Sequence, residues 1–465
     1  MQTTALVLAA GLGTRMKSDM PKVAFGMFNK PLVRWVVDAA RSAGCDDVIT
    51  VLGHKSEIVE PIVFDTEVVL QKERLGTGHA VMMAADALEK RGGKVVVLSG
   101  DCPLVTSETI EKLARSLEEE NASCVVLTFI PDNPHGYGRV IRNQNGDVVK
   151  IVEQKDCTAD EASVGECNSG MYCFRVDDLL YYLSKLGNDN AQGEYYLTDV
   201  VGMIVADGKK VCAIAASDPN EALGINNRVQ LAQATKVMQH RINEKLMLDG
   251  VTMLDPDLVW IGPDVVIEND VEILPLTMII GESKVCSGST IGPNTRIVDS
   301  TIGRDCTVEE SVVLESVLDD RVACGPRAYL RPGVHMCEGS KAGTHVELKK
   351  STVGKGSKVP HLSYIGDTTI GEGVNIGAGS ITCNYDGEKK NPTTIGDRSF
   401  IGSDTMMVAP VNIGNDVLVG AGSTITMDVP DGALSIARSR QRNIEGYHDR
   451  KMRKQGENDN GDNGN

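Results

Sequence analysis

The sequence predicts two unlike folds in one chain, α/β in the first half and all-β in the second. Three observations carry this. Strand and helix signals alternate from residue 1 to about 226. A helical stretch follows at 227–250. From 251 to 454 the pattern becomes that of short strands, with an aliphatic residue at every sixth position between Val259 and Val429. A polar tail, 455–465, lacks apolar anchors and is expected to be disordered.

In the first half, Ala5–Ala10 is an apolar run with the length of a buried strand, and it breaks at Gly11-Leu12-Gly13-Thr14-Arg15. Pro31–Ala43 reads as a helix, Asp47–Leu52 as a second strand, Thr77–Lys90 as a helix and Lys94–Leu98 as a further strand ending in Ser99-Gly100-Asp101. The order βαβ predicts a mostly parallel sheet with helices on both faces. Ligands of such sheets sit beyond the carboxyl ends of the strands, where the Gly11 turn and Asp101 both lie.

The Gly11 turn is neither a dinucleotide fingerprint, because position 16 is Met, nor a Walker loop, because no Gly-Lys-Ser/Thr follows. What remains is a turn with exposed N–H groups beside Arg15 and Lys22, suited to a polyphosphate. A bare G-x-G is more often a structural turn than a phosphate site. Asp101, at a strand end before Cys102-Pro103, reads as a Mg²⁺ ligand or as a turn-forming Asp.

In the stretch 227–250, Leu231, Ala234, Met238, Ile242 and Leu246 share one face, and Gly250 closes the helix, which reads as a connecting arm. The six-residue beat then begins: Ile261, Ile267, Ile273, Val285, Ile291, Ile297, and further on Val353, Val359, Ile365, Ile370, Ile376, Ile395, Ile401, Met407, Ile413, Val419, Ile425. Neither a helical period of 3.6 nor a strand period of 2 produces it. A triangular coil does, with one inward aliphatic per short strand and small residues at the corners. A single coil cannot bury its apolar corner, so coils stack, roughly nine or ten of them over about 45 Å. Only 4% aromatic residues suits so narrow an interior. The beat breaks at Cys383–Pro392, which reads as an inserted loop on a binding face.

A net charge of −17 over 465 residues argues against a nucleic-acid surface. The twelve cysteines show no CxxC pairs or metal spacing, and no secretory or membrane-spanning segment is evident, so a cytoplasmic protein with reduced thiols is expected.

Several motifs carry a resemblance. Leu8-Ala9-Ala10-Gly11-Leu12-Gly13-Thr14-Arg15-Met16 with Pro21-Lys22, Gln71–Gly78 and Gly136-Tyr137-Gly138-Arg139 resemble the nucleotide-sugar pyrophosphorylases. In the second half, Arg331-Pro332-Gly333, Glu347-Leu348-Lys349-Lys350, His361-Leu362-Ser363-Tyr364, Asn375-Ile376-Gly377-Ala378 and Asn384-Tyr385-Asp386-Gly387 follow in order. Together they resemble the bifunctional N-acetylglucosamine-1-phosphate uridyltransferase / glucosamine-1-phosphate N-acetyltransferase family, over residues 1 to about 450. Asn29 and Pro360 depart from the family pattern.

The resemblance implies a Rossmann-like nucleotidyltransferase domain, a connecting helix and a left-handed parallel β-helix of hexapeptide repeats, assembled as a homotrimer through the β-helix. It implies synthesis of UDP-N-acetylglucosamine, a cell-wall precursor, with UTP and acetyl-CoA as co-substrates and Mg²⁺ as cofactor. In the first site it puts Asp101 and Asn226 on the metal and Arg15 and Lys22 on the triphosphate. Leu8, Ala9, Ala10 and Gly11 pass the nucleotide, beside Ser99 and Gly100. Gln71, Gly76 and Thr77 read uracil, and Gly138, Glu153 and Asn168 contact the sugar. In the second site it makes His361 the base, with Glu347 to orient it or relay for it. Arg331, Lys349 and Tyr364 bind the sugar phosphate and Asn375 the sugar. Ala378, Asn384, Tyr385, Ser403, Ala421 and Arg438 hold acetyl-CoA.

The chemistry agrees with these residue types. A phosphate nucleophile attacking UTP needs alignment and charge neutralisation, not a base. A protonated amine attacking a thioester does need a base, and imidazole suits. Two rivals stay open at this level: a pyrophosphorylase whose coil only oligomerises, and a non-catalytic nucleotide-sugar sensor.

Overall fold

The computed structural model of the chain describes residues 1–459. It separates into two compact units, Met1–Arg241 and a second beginning at Ile242. The helix expected at 227–250 spans Arg228–Leu248 and is divided between them. Arg241 bonds the Leu104 carbonyl and Asp218 of the first unit. Ile242 and Leu246 pack on the second core, and Asn243 donates to the Pro256 and Val259 carbonyls of the first coil at 2.8 and 2.9 Å.

The first unit is built on seven strands: β1 Thr3–Ala9, β2 Asp47–Leu52, β3 Glu67–Leu70, β4 Lys94–Ser99, β5 Cys124–Phe129, β6 Cys167–Arg175 and β7 Val211–Ala215. Their spatial order is β7-β5-β6-β4-β1-β2-β3, with a hairpin, Arg139–Arg142 and Val148–Val152, attached to β6. All neighbours on this path are parallel except β6, which runs antiparallel to β4 and β5. In β1, Leu6 joins one core, and Ala5, Val7 and Ala9 join the other. This is period-2 alternation between two buried faces. The helix Leu32–Ser42 buries Leu32, Val33, Val36, Val37 and Ala40, its apolar stripe. The expected helix Thr77–Lys90 is two helices, Thr77–Met83 and Ala85–Arg91, broken where Ala84 leaves helical geometry at φ −95°, ψ 3°. Asn29 takes φ 63°, a left-handed conformation that Asn tolerates better than most residues other than Gly.

The second unit is a β-helix of three parallel sheets holding eleven, ten and nine strands. Each side packs strand on strand in register, as in Ile273↔Ile291, Leu348↔Ile365 and Ile395↔Ile413. Every aliphatic of the six-residue beat lies in one continuous core, Ile267 only partly buried at its margin. Buried serines climb the prism beside it. Ser289 Oγ donates to the Gly303 carbonyl at 2.8 Å and accepts from the Cys306 amide at 3.0 Å, joining successive coils. The glycines after the aliphatic residues serve stacking rather than turn geometry. A Cβ on Gly377 would meet the Ser403 amide nitrogen at 2.3 Å. Left-handed corners fall on polar residues such as Asp270, Asn294 and Asp404. Cys383–Pro392 is indeed an insertion, closed by a Tyr385↔Lys390 bridge and by Asp386, which accepts from the amides of Glu388 and Lys389.

The tail departs from expectation. A helix, Tyr447–Asp459, runs through its beginning, because residues 447–455 are rich in Arg, Lys, Met and Gln, which favour a helix without a core. Residues 460–465 lie outside the described part. All twelve cysteines are free, and no described helix is long and apolar enough to cross a membrane.

Candidate active sites

The carboxyl ends of β1 and β4 lie side by side, Leu8 against Ser99. There a cavity of about 310 Å³ opens, lined by Leu8, Ala9, Ala10, Gly11, Lys22, Gln71, Gly76, Thr77, Ser99 and Asp101 among others. Gly13 makes the Gly11 turn possible: at φ +62° it lies against Lys22, whose Cβ a side chain there would meet at 2.5 Å. Lys22 is thereby held at the cavity floor. Its ammonium contacts Asp101 Oδ2 and donates to Asn226 Oδ1 at 3.0 Å. Asn226 is fixed in turn by Gln230, which accepts its amide at 2.8 Å. Gly100 follows Ser99, and its amide donates to the Leu8 carbonyl at 2.9 Å.

Other expected residues stand apart from this cavity. Arg15 is exposed on the turn Thr14–Met16, without an ion pair among the described residues. Glu153 lines a second cavity of about 460 Å³ with Tyr196, Thr198 and Asp199. Thr198 donates to its carboxylate at 3.2 Å, while burial pushes the carboxyl above its usual range. Asn168 is buried, donates to Tyr172 Oη at 2.7 Å, and its backbone amide donates to the Gly138 carbonyl at 2.9 Å.

In the β-helix, adjacent coils gather the second set. On one sheet, Tyr329–Leu330, Glu347–Lys349 and Tyr364–Gly366 stack in register. Arg331 donates to Glu347 at 2.9 Å. Lys349 pairs with Asp367 at 3.3 Å, and Asn384 donates to the same Asp367 oxygen at 2.6 Å and to Tyr364 Oη at 3.4 Å. His361 ends the strand Lys358–His361, one left-handed corner at Leu362 before Tyr364. It is exposed, and no hydrogen bond ties its ring among the described residues. The expected orientation of His361 by Glu347 is therefore not what the structure holds: Glu347 bonds Arg331, which offers a full positive charge one coil away. Asn375 pairs with Lys358 and Asn375–Ile376 with Phe400–Ile401 on the coil beyond. Tyr385 is exposed in the insertion. Ser403, Ala378 and Ala421 occupy corners of successive coils: Asp404 donates to the Ala378 carbonyl and Gly422 to that of Ser403. Arg438 is exposed and approaches Gly422.

Residues 5–145 match the MobA-like NTP transferase domain, and residues 392–427 the hexapeptide repeat of succinyl-transferase. Curated relatives cover nearly the whole chain. A bifunctional protein GlmU from Caldanaerobacter subterraneus is 50% identical over 97% of this chain and 99% of its own length. Those of Carboxydothermus hydrogenoformans and Clostridium acetobutylicum are 48% and 47% identical over 95% and 97% of this chain, each over 99% of its own length. The chain belongs to the GlmU family.

This GlmU chain carries groups that sequence reading passed over. Asp367 joins Lys349 to Asn384 across two coils; only the distance of 18 residues from Lys349, one coil, signalled it. Lys390, in the insertion, lies against Lys349, and that contact lowers its ammonium pKa. Arg74, inside the Gln71–Gly78 motif but given no role there, and Glu194, from a segment with no motif of its own, also line the first cavity.

Proposed function

We propose that this GlmU chain makes UDP-N-acetylglucosamine in two steps. Its β-helix transfers acetyl from acetyl-CoA to glucosamine 1-phosphate. Its first unit transfers uridylyl from UTP to N-acetylglucosamine 1-phosphate and releases pyrophosphate. One observation carries the reading: two separate clusters, Lys22–Asp101–Asn226 in the first unit and, on adjacent coils of the second, the Arg331–Glu347 and Lys349–Asp367 pairs with Tyr364, which His361 precedes by one corner; each has the groups one of these reactions demands.

In the first site, the attacking phosphate brings its own nucleophile, so the chain aligns and neutralises. Leu8–Gly11 and Ser99–Asp101 frame the nucleotide, with Gln71, Gly76 and Thr77 against the base. Arg15 and Lys22 face the triphosphate. Gly138, Glu153 and Asn168 take the sugar. Asp101 and Asn226 fit a Mg²⁺ ion: their oxygens already converge on one cation, the Lys22 ammonium, and hard oxygen donors are what that ion takes. When bound, the ion supplies charge neutralisation on the phosphates.

In the second site, His361 takes the amine proton, its ring open to substrate. Arg331 and Lys349 hold the sugar phosphate with Tyr364, Glu347 fixing Arg331 and Asp367 fixing Lys349. Asn375 contacts the sugar. Ala378, Asn384, Tyr385, Ser403, Ala421 and Arg438 hold acetyl-CoA and the developing oxyanion. The β-helix assembles as a trimer; Phe400, Leu418 and Leu434 form an exposed apolar column over three coils of one sheet, a face that asks for a partner. A monomer in sedimentation would refute that assembly. Free thiols throughout suit a cytoplasmic enzyme.

The test is to supply each substrate pair separately. Thiol release from acetyl-CoA with glucosamine 1-phosphate, and pyrophosphate release from UTP with N-acetylglucosamine 1-phosphate, are both expected. Absence of the first leaves only a pyrophosphorylase; absence of both leaves a sensor.

A further inference from the structure

Gln71 is 5% exposed and lines the first cavity. Its amide nitrogen contacts two groups, the Gly76 carbonyl at 3.1 Å and His79 Nδ1 at 3.1 Å. A carbonyl oxygen only accepts, so the NH₂ of the carboxamide, not its oxygen, must face Gly76. The second N–H then points to His79, whose Nδ1 must be the acceptor, with the ring proton on Nε2. Both donors of Gln71 are consumed. Its Oε1 receives no donor among the described residues.

The backbone that carries this ring is itself held. His79 sits in the first turn of the helix Thr77–Met83. Gly78 donates to the Tyr195 carbonyl at 2.8 Å, and the Leu197 amide donates to Thr77 Oγ1 at 3.2 Å. Gly76, at φ +108°, passes so close to Tyr195 that a Cβ would meet its carbonyl at 2.5 Å. The His79 backbone cannot drift far without breaking this seam.

We infer that His79 is a positioning residue for base choice: it locks the Gln71 carboxamide so that an oxygen, never an NH₂, meets the pyrimidine. This rests on the proposed contact of Gln71 with the base. Uracil presents N3–H, a donor, and matches an oxygen. Cytosine presents a bare N3, an acceptor, and meets repulsion. A flipped carboxamide would welcome cytosine, but it would lose the Gly76 hydrogen bond, set oxygen against that carbonyl and require the His79 proton to move to Nδ1. Sites built to pair a polar edge reject the unmatched edge because a buried group is left unsatisfied.

The experiment uses the full-length protein with N-acetylglucosamine 1-phosphate and measures kcat/KM for UTP, CTP and 5-methyl-UTP. Wild type is expected to prefer both N3–H nucleotides over CTP. His79→Ala removes one of the two restraints and is expected to raise the CTP/UTP ratio roughly three- to tenfold, the worth of one hydrogen bond, mainly through KM. The 5-methyl-UTP/UTP ratio should not move. His79→Asn, whose Oδ1 can accept where Nδ1 did, should return the CTP/UTP ratio toward wild type. The melting temperature of the first unit in the same preparations reports folding. Equal losses with UTP and CTP, or a ratio that Asn does not restore, would overturn the inference. Gln71→Ala separates the two levels: if it leaves the CTP/UTP ratio unchanged, Gln71 does not face the base, and the underlying contact fails first.

Discussion

Gly402→Ala tests the stacked coil most directly. Gly402 follows the strand Phe400–Ile401, and a Cβ there would meet Ala421 N at 2.5 Å, Val419 O at 2.6 Å and Ala421 Cα at 2.8 Å. All three are backbone atoms of the next coil, so no side chain can swing aside. Ordinary contact needs roughly 3.4 Å, so the coils must part by roughly 0.6–0.9 Å from a repeat of about 4.8 Å. The hydrogen bonds that cross this step on the strand include Gly402 to Val419 at 2.9 Å and Phe400 to Val417 at 2.8 Å. The same opening stretches them to about 3.5 Å, near the limit of a bond. Overpacking and two weakened bonds together cost about 2–4 kcal/mol. For a unit of this size that lowers its melting temperature by roughly 4–15 °C. The loss is local because each coil touches only its neighbours. Ser403 and Ala421 flank the opened step, so acetyl transfer should fall while uridylyl transfer stays. Gly356→Ala is the control: φ there is +66° but nothing lies within 4 Å, so only backbone strain of about 1 kcal/mol is expected. Melting is followed by calorimetry, and acetyl transfer by thiol release. A Gly402→Ala protein no worse than Gly356→Ala in both assays would refute the account of why those glycines stand there.

His361→Ala should cut acetyl transfer by roughly 10²- to 10⁴-fold and spare uridylyl transfer; an unchanged acetylation rate ends its role as base. Asp101→Ala, or chelation of divalent ions, should abolish uridylyl transfer and leave acetyl transfer, whereas loss of both on Asp101→Ala would mean misfolding. Glu153 has a folded pKa raised by burial above its unfolded value near 4.5. The carboxyl therefore favours the fold below pH 4.5, and that contribution is lost as pH rises through the folded pKa. Glu153→Gln should raise the melting temperature of the first unit at pH 7, with the gain shrinking toward pH 4; a pH-independent difference would exclude the titration.

What the sequence made legible divides along physical lines. The coil was readable because its core repeats: most inward positions are aliphatic, Cys324 and Thr382 being exceptions, and a period of six has one structural meaning. Handedness was not readable, since a beat counts positions and says nothing of rotation; it entered with the family. The Gly11 turn was visible, but its partner was not. Gly13 matters because Lys22 lies on it, and contact between two turns leaves no spacing rule in the chain. Antiparallel β6 was hidden for a related reason, because a strand buried on both faces reads alike in either direction.

The sites show where the limit lies. Motifs named Arg331, Lys349 and His361, yet the charges that hold two of them come in each case from the following coil: Glu347 after Arg331 and Asp367 after Lys349. Glu347 was expected to serve His361, but pairing follows coils, and one coil away stood an arginine. In a stacked fold the neighbour that matters is about 17 or 18 residues distant, so the partners of a catalytic group are found by counting coils rather than by reading along a motif. The same rule would have found Asp367 from Lys349, and it makes the ion pair testable. Asp367→Asn leaves Lys349 without its carboxylate, so its effect on binding of the sugar phosphate should exceed that of any exposed acid on the same sheet.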